Sequence, residues 1–261
     1  MTIEELRDKA GFVSDMDGVI YHGDRLIPGV KKLVQWLETN KKRYVFLTNS
    51  SQRSPRELSL KLARLGVEVG EQHFYTSAMA TATFLASQCP GGSAYVIGDP
   101  ALSNALYESG FTMNDSDPDY VVVGETSAYS YERICEAVAL VNKGARLIGA
   151  NPDTTGPVED GIVPATGALM APIEMATGAK AYYVGKPNPL MMRIALQKVE
   201  CRREDTVILG DRMDTDIVAG IEAGIESVLV LTGVSTAESI KQFAYRPSLI
   251  LDSVAEIAPS A

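Results

Sequence analysis

Short, nearly continuous apolar runs alternate along this chain with longer segments in which apolar residues recur every third or fourth position. The first kind reads as strands buried on both faces, the second as amphipathic helices. Strand-like runs stand at 11–14, 44–47, 94–97, 120–123, 146–149, 182–185 and 207–209. Helical periodicity predicts helices over about 29–40, 55–65, 77–88, 100–109, 130–143, 167–177 and 189–199, with Val30, Leu33, Val34 and Leu37 as the stripe of the first. Such alternation predicts an α/β fold with a doubly wound parallel sheet covered on both faces. Met79, Met170, Met175, Met191 and Met192 fall within the helical patterns and are expected to fill the core.

The interval from Thr48 to Lys186 is far longer than one crossover needs and carries its own strands and helices. This predicts a second α/β domain inserted into the first, dividing the chain into 1–82, 83–180 and 181–261. The interval from Asp17 to Thr48 has room only for a flap, around Tyr21-His22-Gly23-Asp24, and one helix.

The chemistry-bearing residues gather where apolar runs end. Asp15 and Asp17, at i and i+2, follow the first run and precede Gly18. Strand alternation points both carboxyls to one face, where one can stay ionised while the other holds a proton. Asp-x-Asp also occurs at Asp115, Asp117, Asp119, Asp214 and Asp216, so the pattern alone is weak. Its position is stronger, because open α/β sheets bind ligands outside the carboxyl ends of their strands.

The run 44–47 leads into Thr48-Asn49-Ser50, whose hydroxyl and amide groups suit phosphate oxygens or a plain helix cap. The run 182–185 delivers Lys186, a cation able to offset anionic charge or simply a solvated one. The run 207–209 leads to Gly210-Asp211-Arg212-Met213-Asp214-Thr215-Asp216. Asp211 and Asp216 offer hard oxygens of the kind Mg²⁺ takes, and Asp214 reads as a helix cap. In the inserted part, Asn151-Pro152-Asp153-Thr154-Thr155-Gly156 follows a strand and is either a substrate-reaching loop or an Asx-Pro turn.

Four strand ends carrying Asp/Asp, Thr, Lys and Asp in that order resemble the haloacid dehalogenase superfamily, and the spacing is similar to its NagD-like branch. The resemblance spans nearly the whole chain. It implies a Rossmann-like core with an inserted C2-type α/β cap, and hydrolysis of phosphomonoesters through an aspartyl-phosphate. Asp15 would then be the nucleophile and Asp17 the acid and base. Mg²⁺ would sit on the carboxylates of Asp15 and Asp211 and the main-chain carbonyl of Asp17, oriented by Asp216 from behind. Thr48, the amide N–H of Asn49 and Lys186 would hold the phosphoryl oxygens, and Asn151 and Asp153 would reach the substrate. An acid at position 17 fits a phosphatase; phosphotransfer ATPases of the superfamily carry Thr there and dehalogenases lack the acid. The implied substrates are a nucleoside monophosphate such as UMP, a sugar phosphate, phosphoglycolate or p-nitrophenyl phosphate.

Composition narrows the classes further. At 261 residues, 46% apolar and 22% charged, the chain can bury a substantial core. A formal net charge of −9 argues against a nucleic-acid polymer as partner. The charged N-terminal segment and the lack of a long apolar run predict a cytoplasmic protein with no membrane partner, and leave homo-oligomerisation open. Cys89, Cys135 and Cys201 form no C-x-x-C pair and read as ordinary buried or half-buried thiols. His22 and His73 have no matching partner for a metal or triad role. No glycine-rich nucleotide fingerprint is present. Two rivals remain, a receiver-like phospho-acceptor module and a catalytically idle binding protein on the same fold; the long insert and Asp17 count against the first, the complete motif set against the second.

Overall fold

The structure, a computed structural model, describes residues 1–158 and 161–259. Strand β1 (Gly11–Ser14) is buried along its length and is followed by an antiparallel hairpin of β2 (Tyr21–His22) and β3 (Arg25–Leu26), the flap expected there. Next come β4 (Arg43–Thr48) and β5 (Phe74–Thr76). The middle of the chain supplies β6 (Ser93–Ile97), β7 (Thr112–Met113), β8 (Tyr120–Val123), β9 (Arg146–Gly149), a hairpin of β10 (Thr155–Val158) and β11 (Gly161–Pro164), and β12 (Tyr182–Tyr183). The last strands are β13 (Thr206–Gly210), β14 (Glu226–Val230) and β15 (Leu249–Leu251).

These strands form two parallel sheets, one in the order β15-β14-β13-β1-β4-β5 and the other in the order β12-β9-β8-β6-β7. In the first, β1 lies between β4, which follows it closely in sequence, and β13, which arrives only after the second sheet is complete. Chain progression reverses there, at the kind of switch point outside which α/β sheets bind their ligands.

All seven expected helices form, at Val30–Thr39, Pro55–Arg64, Ser77–Gln88, Pro100–Glu108, Tyr131–Lys143, Thr166–Thr177 and Pro189–Val199. The first buries the stripe Val30, Leu33, Val34 and Leu37. Helix Pro55–Arg64 starts with a capping box between Ser54 and Glu57 and with proline in its first turn, where the lost N–H has no cost. A further helix, Ile3–Asp8, too short to show periodicity, opens with a capping box between Thr2 and Glu5.

Opposite faces of β1 feed two apolar clusters. Phe12 meets Trp36 edge to face at 5.7 Å, whereas Val13 packs with Val45, Leu47, Met191 and Met192. The second cluster continues through helix Ser77–Gln88 into Ala94, Val96 and Ile148 of the five-stranded sheet, so the two sheets share buried surface. Met170, Met191 and Met192 are core residues as expected, while Met175, on the outer face of the last turn of its helix, is 86% exposed. Tyr182 and Tyr183 pair with β9, so the crossing back to the six-stranded sheet comes after Tyr183 and not at residue 181. Helix Ser77–Gln88 likewise runs through position 82. Cys135 is exposed, not half-buried. Among the described residues no helix is long and apolar enough to cross a membrane.

Candidate active site

Because β4, β1 and β13 are neighbours, the residues that finish or follow them converge: Thr48, Asp15 and Asp211. Met16 is fully buried in the core and anchors the turn, leaving Asp15 and Asp17 on either side of it, where both feel the charge of Lys186. Gly18 then takes φ +81°, and a Cβ at this position would lie 2.6 Å from Asp211 Oδ2. No other residue combines that backbone with that approach.

Lys186 is 2% exposed, and its ammonium donates to Asp15 Oδ1 at 2.5 Å, Asp216 Oδ1 at 2.7 Å and the Leu47 carbonyl at 3.2 Å. Three acceptors match its three hydrogens. Burial alone would lower its pKa, but the charges of Asp15 and Asp216 outweigh burial and hold it above the ordinary lysine value.

Three carboxylates surround this one cation. Asp15, Asp211 and Asp216 each bring an oxygen within 4.8 Å of the others. Burial first, then Asp216, pushes the Asp211 carboxyl up to about 7, against the opposing hydrogen bond from the Val234 amide. Burial likewise raises Asp15 well above the usual carboxylate range, with Lys186 opposing and Asp216 and Asp211 adding. Asp211 Oδ2 accepts from Val234 N at 2.6 Å, but its buried Oδ1 has no hydrogen-bond partner. Crowded carboxylates with an orphaned oxygen are what a hard divalent cation would satisfy, so the residues present fit Mg²⁺.

Asp216 differs from Asp211, for both of its oxygens are bonded, one to Lys186 and the other to the Arg212 amide at 3.1 Å. The latter bond caps the π-helical turn Met213–Ile217. Asp214, expected as the cap, instead takes a two-pronged ion pair from Arg212, at 3.0 and 2.8 Å.

Asp17 stands across the site. Burial raises its pKa, opposed by Lys61, Arg53 and Lys186, and the Tyr21 hydroxyl hydrogen-bonds to it. Lys61 lies 3.6 Å over the Tyr21 ring, so the flap hairpin brings both groups back toward the second aspartate. His22, on the same hairpin, is exposed.

The loop after β4 is held from within. Thr48 Oγ1 accepts from Ser50 N at 3.0 Å, leaving its hydroxyl hydrogen free to donate. The Asn49 side chain grips the main chain of Lys186 from both sides, accepting its N–H at 2.7 Å and donating to its carbonyl at 3.0 Å. This amide therefore places the lysine, a role that residue type alone does not reveal.

The second sheet supplies Asn151 and Asp153. Asn151 is fully buried, with its amide donating to Asn49 O and Glu125 Oε1 at 2.6 Å each and its Oδ1 accepting from Asp153 N at 3.1 Å. The Asx turn is thus real, and both amide hydrogens of Asn151 and one acceptor position of its oxygen are taken up inside the protein. Asp153 does reach the site: Oδ2 accepts from Asn49 Nδ2 at 2.9 Å and Oδ1 lies 3.8 Å from Arg212. Burial raises its pKa, with Arg212 opposing. Periodicity and strand-end reading gave no role to Arg212, Tyr21, Ser51 or Glu125; Arg212 carried a signal in the Gly-Asp-Arg run and Tyr21 in the flap segment, and the other two carried none.

Known proteins resemble this chain in sequence and in fold. A family model described as haloacid dehalogenase-like hydrolase matches residues 12–112, and a related one matches residues 183–257. The chain is 45% identical over 247 residues to the dihydroxyacetone phosphatase of Corynebacterium glutamicum, covering 95% of this chain and 90% of that one. It is 45% identical over 245 residues to the ribonucleotide monophosphatase NagD of Escherichia coli K12, covering 94% and 96%. The solved structure of NagD superposes with a TM-score of 0.89 over 95% of this chain and 98% of that one. A glycerol phosphate phosphatase of Mycobacterium tuberculosis, solved in complex with magnesium, superposes with a TM-score of 0.90 at 30% identity, covering 96% and 77%. With identity of this level running almost end to end and the four strand-end motifs gathered at one switch point, the chain belongs to the haloacid dehalogenase-like hydrolases, in their NagD-like branch.

Proposed function

We propose that this protein is a Mg²⁺-dependent hydrolase of small phosphomonoesters that works through a phosphorylated Asp15. The observation that carries the reading is the buried set of Asp15, Asp211 and Asp216 around Lys186, with one Asp211 oxygen unpartnered. The activities named for its relatives, on dihydroxyacetone phosphate, ribonucleotide monophosphates and glycerol phosphate, support the substrate class.

Asp15, Asp211 and the main-chain carbonyl of Asp17 would hold Mg²⁺, and Asp216, with both oxygens already bonded, keeps this shell in place. The bound ion supplies Lewis acidity and offsets carboxylate charge. An Asp15 oxygen attacks phosphorus while the bond to the leaving oxygen breaks, and Asp17 gives that oxygen its proton. The burial that raises the Asp17 pKa keeps the proton available for this step. A water then attacks phosphorus as Asp17 takes its proton, the bond to Asp15 breaks, and phosphate leaves. Thr48, the Asn49 amide N–H and Lys186 hold the phosphoryl oxygens. Of the three acceptors on Lys186, the Leu47 carbonyl is the most distant, at 3.2 Å, and is the contact a phosphoryl oxygen replaces. The five-stranded sheet serves as the lid, presenting Asp153 to the leaving group and limiting water.

The test is phosphate release from a panel of phosphomonoesters with Mg²⁺ and with excess chelator; full turnover in chelator refutes the metal requirement. Mg²⁺ is also expected to raise Tm, and the gain should shrink as pH falls below about 7. The Asp211 carboxyl, raised to about 7, holds a proton that must leave before the ion binds. Without metal the sign reverses: a raised carboxyl stabilises the fold below its unfolded pKa, near 4, and that stability is lost as pH rises toward 7. An equal Mg²⁺-induced shift at about pH 5 and about pH 8 would rule out this linkage.

Specificity is assigned to Asp153. Asp153→Ala should lower kcat/KM for the preferred metabolite by roughly five- to 150-fold, the worth of one polar contact in a closed site, and that for p-nitrophenyl phosphate much less. Asn151→Ala, acting through Asn49, should lower both together. The opposite pattern in the two variants overturns the assignment.

A further inference from the structure

We infer that Glu125, on the loop that leaves β8 of the second sheet, is a positioning residue for the phosphoryl-binding loop of the first; the inference rests on the phosphatase reading above. Glu125 Oε2 accepts from the main-chain N–H of Ser51 at 2.9 Å and from its hydroxyl, and Ser51 Oγ in turn accepts from Glu125 N at 3.1 Å. The other carboxylate oxygen, Oε1, accepts from Asn151 Nδ2 at 2.6 Å. All three donors are neutral, so the carboxylate works as a multi-point hydrogen-bond acceptor without a counter-ion among them.

The two partners bear on one residue, Asn49. Ser51 stands two positions after it and is fully buried, and Asn151 donates to its carbonyl oxygen at 2.6 Å. The same carbonyl accepts from Ser77 Oγ at 2.5 Å. Asn49 in turn grips both main-chain groups of Lys186, whose ammonium lies 2.5 Å from Asp15. A continuous hydrogen-bonded path therefore runs from Glu125 through Asn151 to Asn49, Lys186 and Asp15, while Ser51 ties Glu125 to the same loop through the main chain. No substrate atom is needed to complete it.

The fit at this junction is close. A Cβ at Gly124 would lie 2.5 Å from Ser51 Oγ, so position 124 tolerates only glycine while the loop sits where it does. The Glu125 carbonyl also accepts from Asp99 N at 3.2 Å, and the Asp99 side chain accepts from Gln52 Nε2 at the same distance. These contacts join the carboxyl ends of β6 and β8 to residues 51–52 and fix where the carboxylate stands.

Glu125 is thus expected to govern the rate of the chemical step on every ester while leaving recognition of the leaving group to Asp153. Glu125→Gln keeps the shape but leaves one acceptor oxygen for donors on two sides, so an NH₂ group must face either Ser51 or Asn151. Glu125→Gln and Glu125→Ala should each lower kcat about 10- to 100-fold on both p-nitrophenyl phosphate and a sugar phosphate, as loss of a supporting hydrogen-bond partner does elsewhere. KM should change by less than about threefold. Ser51→Ala, which keeps its main-chain donor, should shift kcat in the same direction by less. Calorimetric titration with inorganic phosphate and Mg²⁺ should show binding weakened in the Glu125 variants within the same roughly threefold limit as KM.

Glu136→Gln is the control, because Glu136 accepts from the Tyr95 hydroxyl at 2.6 Å on the same sheet and touches none of this path. Its kcat should equal that of wild type. A comparable loss in Glu136→Gln, an effect confined to KM for one ester, or folded Glu125 variants with wild-type kcat and phosphate binding each overturn the inference alone. A wild-type protein that neither releases phosphate from any ester nor binds inorganic phosphate overturns the phosphatase reading, and this inference with it.

Discussion

Asp15→Asn is expected to abolish phosphate release, by a factor on the order of 10⁴ or more, as removal of an enzymatic nucleophile does elsewhere. The carboxamide matches the carboxylate in shape and still accepts from Lys186 through its oxygen, but it offers no anionic oxygen to phosphorus. The fold should not suffer. Asp15 is one of three carboxylates packed around one ammonium, and burial together with Asp216 and Asp211 raises its pKa, so its charge is a cost in the metal-free protein. The variant should therefore melt at or above the wild-type temperature at neutral pH without Mg²⁺, while losing the catalytic reaction. Asp17→Asn should separate the two halves of the reaction: slow phosphorylation of Asp15, poor release, and a chain heavier by one phosphoryl group in intact-mass spectra. Turnover of Asp15→Asn within tenfold of wild type would remove the nucleophile assignment.

Lys186→Met should do the reverse to the fold. The side chain is 2% exposed, and its loss strands Asp15 and Asp216 without their shared cation. Removing one partner of a buried ion pair costs about 3–5 kcal/mol, because the remaining charge stays buried. Protons can replace the lost cation only while they are plentiful. The Asp15 carboxyl, already raised and now without the opposing Lys186 charge, is accommodated in its protonated form, and stability falls as pH climbs through its shifted value. The difference in Tm between wild type and Lys186→Met should therefore widen from about pH 5 to about pH 8, and added Mg²⁺ should narrow it. A gap independent of pH contradicts the electrostatic account. The activity loss should be on the order of 10²- to 10³-fold, the scale on which a charge-stabilising group acts.

Much of this was legible in the residue pattern. Helices with a stripe such as Val30, Leu33, Val34 and Leu37 announce themselves, because burial of one face imposes the period. Strand ends were equally plain: apolar runs stop at Asp15, Thr48, Lys186 and Asp211, and parallel pairing of β4, β1 and β13 brings three of these ends together. What sequence could not show is which partner takes which hydrogen bond. Asn151 and Asp153 looked equivalent in one loop, yet one is sealed beneath the site and the other opens onto it. Asp214 likewise read as a helix cap but is drawn off by Arg212, and the N–H it was to satisfy at that turn is met by Asp216, which also bonds Lys186. The run from Tyr182 to Gly185 read as one strand because it is continuously apolar. Tyr182 and Tyr183 in fact pair in the second sheet, while Val184 packs into the apolar cluster that both sheets share, and no change of composition marks the step.

The central place of β1 between an early and a late neighbour also fixes an order of assembly during synthesis. Asp15 and Lys186 are 171 residues apart in the chain. A nascent chain that has emerged as far as β9 already contains the nucleophile and Thr48, but neither the lysine that steadies the aspartate nor the acidic run around Asp211. Its β1 has β4 on one side and an open edge on the other until β13 arrives. Such an edge is a template for wrong pairing, whereas the strands of the five-stranded sheet are all present once Tyr183 has emerged. A chain cut before Lys186 is therefore expected to carry Asp15 and Thr48 without the lysine and the acidic run that complete the proposed site, and to release no phosphate from an ester.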